Sequence, residues 1–181
     1  MSEVRIFRDD APNKPERVVA DEAGIIKVLG AEGILFARWQ AAQVLKPSDG
    51  QDEVLKAYAA PIARLRADKV YQAADVVRMV PDAPNRAAAR AKFLKEHQHA
   101  EDEVRFFVEG SGSFYLHLGQ RVYQVICERG DLISVPAGTR HWFDMGPAPR
   151  FTAIRLFTNP DGWVAKFTGA EIAATFPPYG E

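Results

Sequence analysis

Cysteine occurs once in this chain, at Cys127. One thiol excludes an internal disulfide framework. No apolar run approaches the length needed to span a bilayer, and the opening MSEVRIFRDD carries acids without an apolar core segment, so no secretory signal is visible. Net charge is also scarce: 23 Lys and Arg against 24 Asp and Glu leave a formal −1. That balance gives no electrostatic case for nucleic acid or an anionic membrane. Neither a basic patch nor a helix-turn-helix extension is visible, which counts against a DNA-binding regulator. Internal linkers and repeats are missing too. A cytoplasmic enzyme is the default expectation.

The 181 residues read as one domain, large enough to bury about 70% of the surface its unfolded chain would expose. Hydrophobic residues at 47% and charged residues at 26% are ordinary for a soluble globule. Residues 3–8 and about 17–43 read as strands broken by turns, with VRIF, IIKVL and GILFARWQA as the extended pieces. From about Ser48 the character changes. Ser48 or Asp49 can cap a helix in which Val54, Leu55, Tyr58, Ile62 and Leu65 recur at helical spacing, and that stripe reads as packing. A second helix is expected from Arg86 to Leu94, after Pro84. Together they form a helical insertion at about 48–94. From 97 to 157 short strands alternate with Gly-containing turns, which suits an antiparallel barrel or sandwich. GSFYLHLGQRVYQVICERG predicts a hairpin turning at Gly119-Gln120, with His117 on its outer face and outside any site. FTAIRLFTN predicts the last barrel strand, and the tail DGWVAKFTGAEIAATFPP is expected to return across it as a turn and short helix.

All four histidines lie in the stretch from His97 to His141, and three of them, His97, His99 and His141, enter one site. In a strand, side chains alternate between faces, so His97 and His99 point the same way and can hold one ion. Glu103 cannot join them along a straight strand, because four residues would carry it about 13 Å away. The chain must reverse between them, and Ala100-Glu101-Asp102, read as solvated turn surface, is the expected place. Gly130 and the Pro136-Ala137-Gly138 turn then return His141 to the same point. A lone strand histidine is usually a satisfied or solvent-facing side chain. Three with a carboxylate in this arrangement predict a metal site.

Parity adds three neighbours. Arg105 shares the Glu103 face, and an arginine aimed at a metal pocket implies an anionic ligand. Phe93 falls on the face of His97 and His99, and Phe143 on that of His141. Three imidazoles and a carboxylate leave an octahedral ion two open positions, and mixed nitrogen and oxygen ligation suits iron, nickel, manganese or cobalt. Zinc more commonly stops at four ligands. Two adjacent open positions suit an enediolate chelating through two oxygens.

These two blocks resemble the cupin signature: His97, His99, Glu103 and Gly110 match its first half, and Gly130, Pro136, Gly138 and His141 its second. Ala91 and Met145 stand where that signature usually has glycine and asparagine. Over nearly the whole chain the likeness narrows to the acireductone dioxygenases, the oxygenases of methionine salvage. GILFARW, EHQHAEDEVRFFVEGSGSFYLHL, GDLISVPAGTRHWFDMG and LFTNPDGWVA all resemble that family.

The resemblance implies a mainly β cupin barrel, one Fe2+ or Ni2+ held by His97, His99, Glu103 and His141, and Arg105 on the substrate oxyanion. Phe93, Phe143 and Trp163 match aromatic positions around the family's pocket, and Arg155 a supporting polar one. The implied substrates are acireductone and dioxygen. Iron would give formate and 4-methylthio-2-oxobutanoate; nickel would give 3-methylthiopropanoate, formate and carbon monoxide. A monomer without nucleic-acid or membrane partners is expected. Another cupin metalloenzyme, such as a diol dioxygenase or sugar isomerase, and a non-enzymatic cupin sensor stay open.

Overall fold

A computed structural model describes residues 1–68, 71–159 and 164–180. Among these residues every strand pairing is antiparallel, and the strands join into one mainly β framework. Its centre is β6 (Glu103–Leu118), sixteen residues long. The first half of β6 pairs with β8 (Asp131–Val135) and β10 (Phe151–Phe157); the second pairs with β7 (Arg121–Glu128) and β9 (Arg140–Asp144). One strand therefore serves two sheets.

The change of partners happens at Gly110. Its φ is +64°, and a Cβ there would lie 1.7 Å from the Arg150 carbonyl oxygen, so only glycine lets the two backbones meet. A register shift at Thr152/Ala153 marks the same corner.

One sheet continues from β7 through β1 (Glu3–Arg8) to β2 (Arg17–Val19), and on its other side from β9 through β5 (His97–Gln98) to β11 (Lys166–Phe167). The second is completed by β3 (Leu35–Arg38) beside β8 and β4 (Ala73–Met79) beside β10. Their inner faces share one core, in which Phe114, Leu116, Val125 and Phe143 meet Phe107, Ile133, Phe151 and Ala153. The sheets form a sandwich sharing β6, the mainly β, antiparallel barrel-or-sandwich architecture expected, with β2, β11, β3 and β4 as its edge strands.

Helices α2 (Gln51–Ala57) and α3 (Ala59–Asp68) cover the back of the second sheet. Val54, Tyr58, Ile62 and Leu65, the expected stripe, pack there on Val104, Phe106, Ile154 and Leu156. The cap is neither Ser48 nor Asp49 but the next residue: Gly50 is the N-cap, and the Glu53 carboxylate accepts the Gly50 N–H at 2.9 Å. Asp49 instead accepts from the Lys46 N–H. The expected second helix is α4 (Arg86–Phe93). Between them β4, absent from the sequence reading, turns the helical insertion into a mixed one; its 73–79 stretch pairs along the whole of β10.

Two other expectations are corrected. IIKVL lies not in a strand but in α1 (Glu22–Ala31), where the Asp21 carboxylate accepts the Gly24 N–H at 2.7 Å and Ile25 and Leu29 bury one helical face. The N-cap and the four-residue apolar spacing outweigh the β-branched composition. Among the described residues, β10 pairs with β4 and β6 and not with the tail. The tail adds β11 to β5, and the 3-10 turn Ile172–Thr175 leads Phe176 onto the outer face of the first sheet, against Phe7, Tyr115, Val122 and Trp142. The hairpin at Gly119-Gln120 is as expected, with Leu118 opposite Arg121.

Candidate metal centre

His97, His99, Glu103 and His141 come together: one ligating atom from each lies within 4.8 Å of the others, and all four side chains are buried. Three separate devices bring them there. His97 and His141 are direct cross-strand partners on β5 and β9. The His99 carbonyl accepts the Gly138 N–H at 2.9 Å, which ties the first turn to the second. Glu103 opens β6 opposite Val135, the last residue of β8.

The reversal between His99 and Glu103 is not solvated surface. Glu101 and Asp102 are half-buried. Asp102 accepts the Ala137 N–H at 3.0 Å, while Glu101 accepts from the Thr158 hydroxyl and from the Asn159 N–H at 3.0 Å. The acids hold the turn by capping backbone that no ladder satisfies.

Each imidazole is oriented from behind by a carbonyl. His97 Nδ1 faces Lys95 O at 2.6 Å, His99 Nδ1 faces Val164 O at 3.2 Å, and His141 Nδ1 faces Thr139 O at 2.8 Å. A carbonyl only accepts, so all three Nδ1 atoms carry the proton and a neutral ring presents the Nε2 lone pair. Burial, reinforced by the neighbouring His141, lowers the His97 pKa to about 4, so that ring is neutral near pH 7. Burial alone would raise the Glu103 pKa; the Arg105 charge, with the contacts to His141 and His99, outweighs it and holds the carboxyl well below its usual range.

Glu103 Oε2 then lies 2.9 Å from His141 Nε2 and 3.2 Å from His99 Nε2. The carboxylate and the imidazole Nε2 atoms thus converge on one point, the convergence that a shared cation binds. Two donors at right angles on an ion with bonds of about 2.1 Å sit about 3 Å apart, so the donor set fits a divalent metal.

Arg105 stands beside it. It is 4% exposed, and its Nε lies 2.7 Å from Glu103 Oε1. The proximity is electrostatic, because neither atom has a well-aligned hydrogen bond among the described residues, and Arg105 Nη1 has none either. The guanidinium is held by rings: its carbon lies 4.5 Å from the centroid of Phe143, 5.0 Å from Phe114 and 5.8 Å from Phe93.

Parity placed Arg105 and Phe143 on the inner faces of β6 and β9, as found. Phe93 arrives differently. It ends α4 and so has no strand parity, yet its ring meets Phe143 edge-on at 6.2 Å. Phe114, which the sequence reading left out, completes the wall by alternating with Tyr115 on β6. Arg155 faces Arg105 across the β10–β6 pairing and forms a bidentate ion pair with Asp75, at 2.7 and 2.5 Å. Trp163 lies outside the described residues.

Comparison with known proteins agrees with this geometry. The model of the ARD/ARD' family matches residues 3–165. An acireductone dioxygenase of Alcanivorax borkumensis is 59% identical over 175 residues, covering 97% of each chain. One from Marinobacter nauticus is 53% identical over 99% of this chain and 96% of its own. Among solved structures, an acireductone dioxygenase from Bacillus anthracis with a cadmium ion in its active centre superposes with a TM-score of 0.80. It shares 31% identity over 92% of this chain and 98% of its own. A family match of this extent, on a sandwich whose inner face gathers three histidines and a glutamate, makes this chain a member of the ARD/ARD' family, the acireductone dioxygenases.

Proposed function

We propose that the chain is a metal-dependent dioxygenase that cleaves acireductone, 1,2-dihydroxy-3-keto-5-methylthiopentene, with dioxygen, in methionine salvage. The observation that carries this is the pairing of a four-donor centre with a buried arginine whose Nε and Nη1 have no aligned partner among the described residues. His97, His99, Glu103 and His141 would hold one Fe2+ or Ni2+. When bound, the ion supplies Lewis-acid polarisation of two adjacent substrate oxygens.

The remaining work falls to the chain itself. Arg105 offers planar N–H donors to the oxyanion of the enediolate, and its burial makes that charge pairing stronger than it would be in water. Phe93, Phe114 and Phe143 surround the guanidinium carbon at 4.5 to 5.8 Å and hold it beside Glu103. The same rings exclude water from a reactive, electron-rich substrate. Arg155, neutralised by Asp75, supports the pocket behind Arg105 without competing for Glu103.

Product identity is proposed to follow the metal. The ligands and Arg105 are the same whichever ion is bound, so any change in outcome must come from the ion. The test strips one preparation, reloads halves with iron or nickel, and adds oxygen to anaerobic enzyme and acireductone. Expected are formate and 4-methylthio-2-oxobutanoate with iron, and 3-methylthiopropanoate, formate and carbon monoxide with nickel. Identical product ratios from both fully loaded halves would reject metal control.

A further inference from the structure

His117 is the one histidine outside the proposed ligand set, and it sits on the opposite side of β6 from the ion. Leu116 is the cross-strand partner of His141, so the next residue points away, toward the outer face with Tyr115. His117 is nevertheless only 8% exposed. Its Nδ1–H donates to Glu96 Oε1 at 2.6 Å. Glu96, 2% exposed, is also held from the other side: Oε2 accepts the Thr168 hydroxyl at 2.6 Å, and its carbonyl accepts the Thr168 N–H at 3.1 Å. One buried carboxylate thus joins β6, the residue before β5 and the residue after β11.

The join matters because β5 is only two residues long. Its pairing with β9 consists of His97 opposite His141, and its pairing with β11 of two residue pairs. So short a ladder fixes its backbone weakly. Yet the carbonyl that orients the His97 ring belongs to Lys95, two residues upstream. Lys95, Glu96 and His97 are consecutive, so a shift of the Glu96 side chain moves the peptide that aims the imidazole. Phe167, cross-strand from His97 and edge-on to its ring at 5.8 Å, adjoins Thr168 and is tied to the same point.

We propose that His117 is a positioning residue for the metal centre, acting through Glu96 to fix the Lys95–Glu96–His97 segment so that His97 Nε2 stays aimed at a bound divalent cation. The proposal rests on the reading of His97 as a ligand. His117 never touches the ion; it sets how long the ion stays.

The experiment loads the full-length protein with Ni2+ and follows its transfer to a chromophoric chelator by stopped-flow absorbance. Thermal unfolding of the metal-free protein is measured alongside. His117→Leu keeps the volume and removes the donor; His117→Asn places an amide N–H near the position of Nδ1. About tenfold faster release is expected from His117→Leu, with most of the loss recovered in His117→Asn. Thr168→Val, which removes the opposite donor, should also speed release and keeps the test decisive where His117→Leu does not fold. Wild-type release rates in His117→Leu or, where that variant does not fold, in Thr168→Val, whatever the unfolding temperature, would overturn the proposal. His97→Ala in the same assay separates the two levels: wild-type retention there would remove the ligand set itself, whereas loss there with normal His117 and Thr168 variants removes only the positioning role.

Discussion

Glu103 and Arg105 share the inner face of β6 and approach within 2.7 Å, carboxylate Oε1 to guanidinium Nε. The pair couples the proposed metal ligand to the proposed substrate contact. The arginine keeps the carboxylate ionised in a buried site, and the carboxylate balances a cation that burial would otherwise expel. Because Nε and Nη1 are not committed to aligned hydrogen bonds among the described residues, the guanidinium retains donors for an anionic ligand.

Arg105→Lys should therefore separate charge from shape. Lysine preserves the positive charge but not the planar fork or its stacking between rings. Losing one or two charge-assisted hydrogen bonds, at about 1.5–3 kcal/mol each, should lower kcat/KM about 10- to 100-fold or more. Metal content by elemental analysis should stay at the wild-type level. Unchanged kinetics would place Arg105 outside the reaction.

Replacing His97, His99 or His141 with Ala should remove most bound metal, because each supplies a carbonyl-oriented Nε2 and the remaining three donors leave the ion under-coordinated. Glu103→Ala should lose activity while retaining some metal on three imidazoles. Elemental analysis after gel filtration checks both. Full occupancy in two of the three histidine variants would contradict the assignment.

Gly112→Ala should damage the pocket from beneath. A Cβ on Gly112 would lie 2.4 Å from Phe143 Cζ, so the ring that stacks on Arg105 must move. Overpacking of this kind costs about 1–3 kcal/mol of stability. It should raise KM while metal affinity stays normal. In a Phe143→Leu background the added methyl finds room, and Gly112→Ala should then have little further effect. Equal effects of Gly112→Ala in both backgrounds would disconnect it from Phe143.

Much of the site was legible because its information is local. The His97-Gln98-His99 spacing, the turn before Glu103 and the Pro136–Gly138 turn each act over a few residues, and strand parity carried Arg105 and Phe143 to the right face. Parity reached the right place for Phe93 by the wrong route, since a helix end, not a strand, delivers it. What escaped depends on distant partners. β4 is an edge strand defined by β10, some eighty residues away, and β11 exists because it pairs with β5. IIKVL has strand composition but a helix cap before it. Glu101, Asp102 and His117 read as surface because their partners, Asn159, Ala137 and Glu96, lie elsewhere in the chain.

Phe106→Ala tests the two faces of β6 directly. Phe106 points away from Arg105 into the core beneath α2 and α3, in edge contact with Trp39 and Tyr58. Truncation should cost about 3–5 kcal/mol in denaturant unfolding. Metal affinity should change little. Selective loss of metal without loss of stability would reverse the face assignment.

One ion held by His97, His99, Glu103 and His141 is proposed to enable the chain to oxidise acireductone. The most direct measurement titrates Fe2+ into metal-free protein under anaerobic conditions, then records oxygen uptake with acireductone at each ratio, after subtracting the uncatalysed reaction. Uptake should rise linearly and level off at one equivalent of metal per chain, and His141→Ala should stay at background across the titration. Wild-type uptake without metal, or a full response in His141→Ala, would contradict the account.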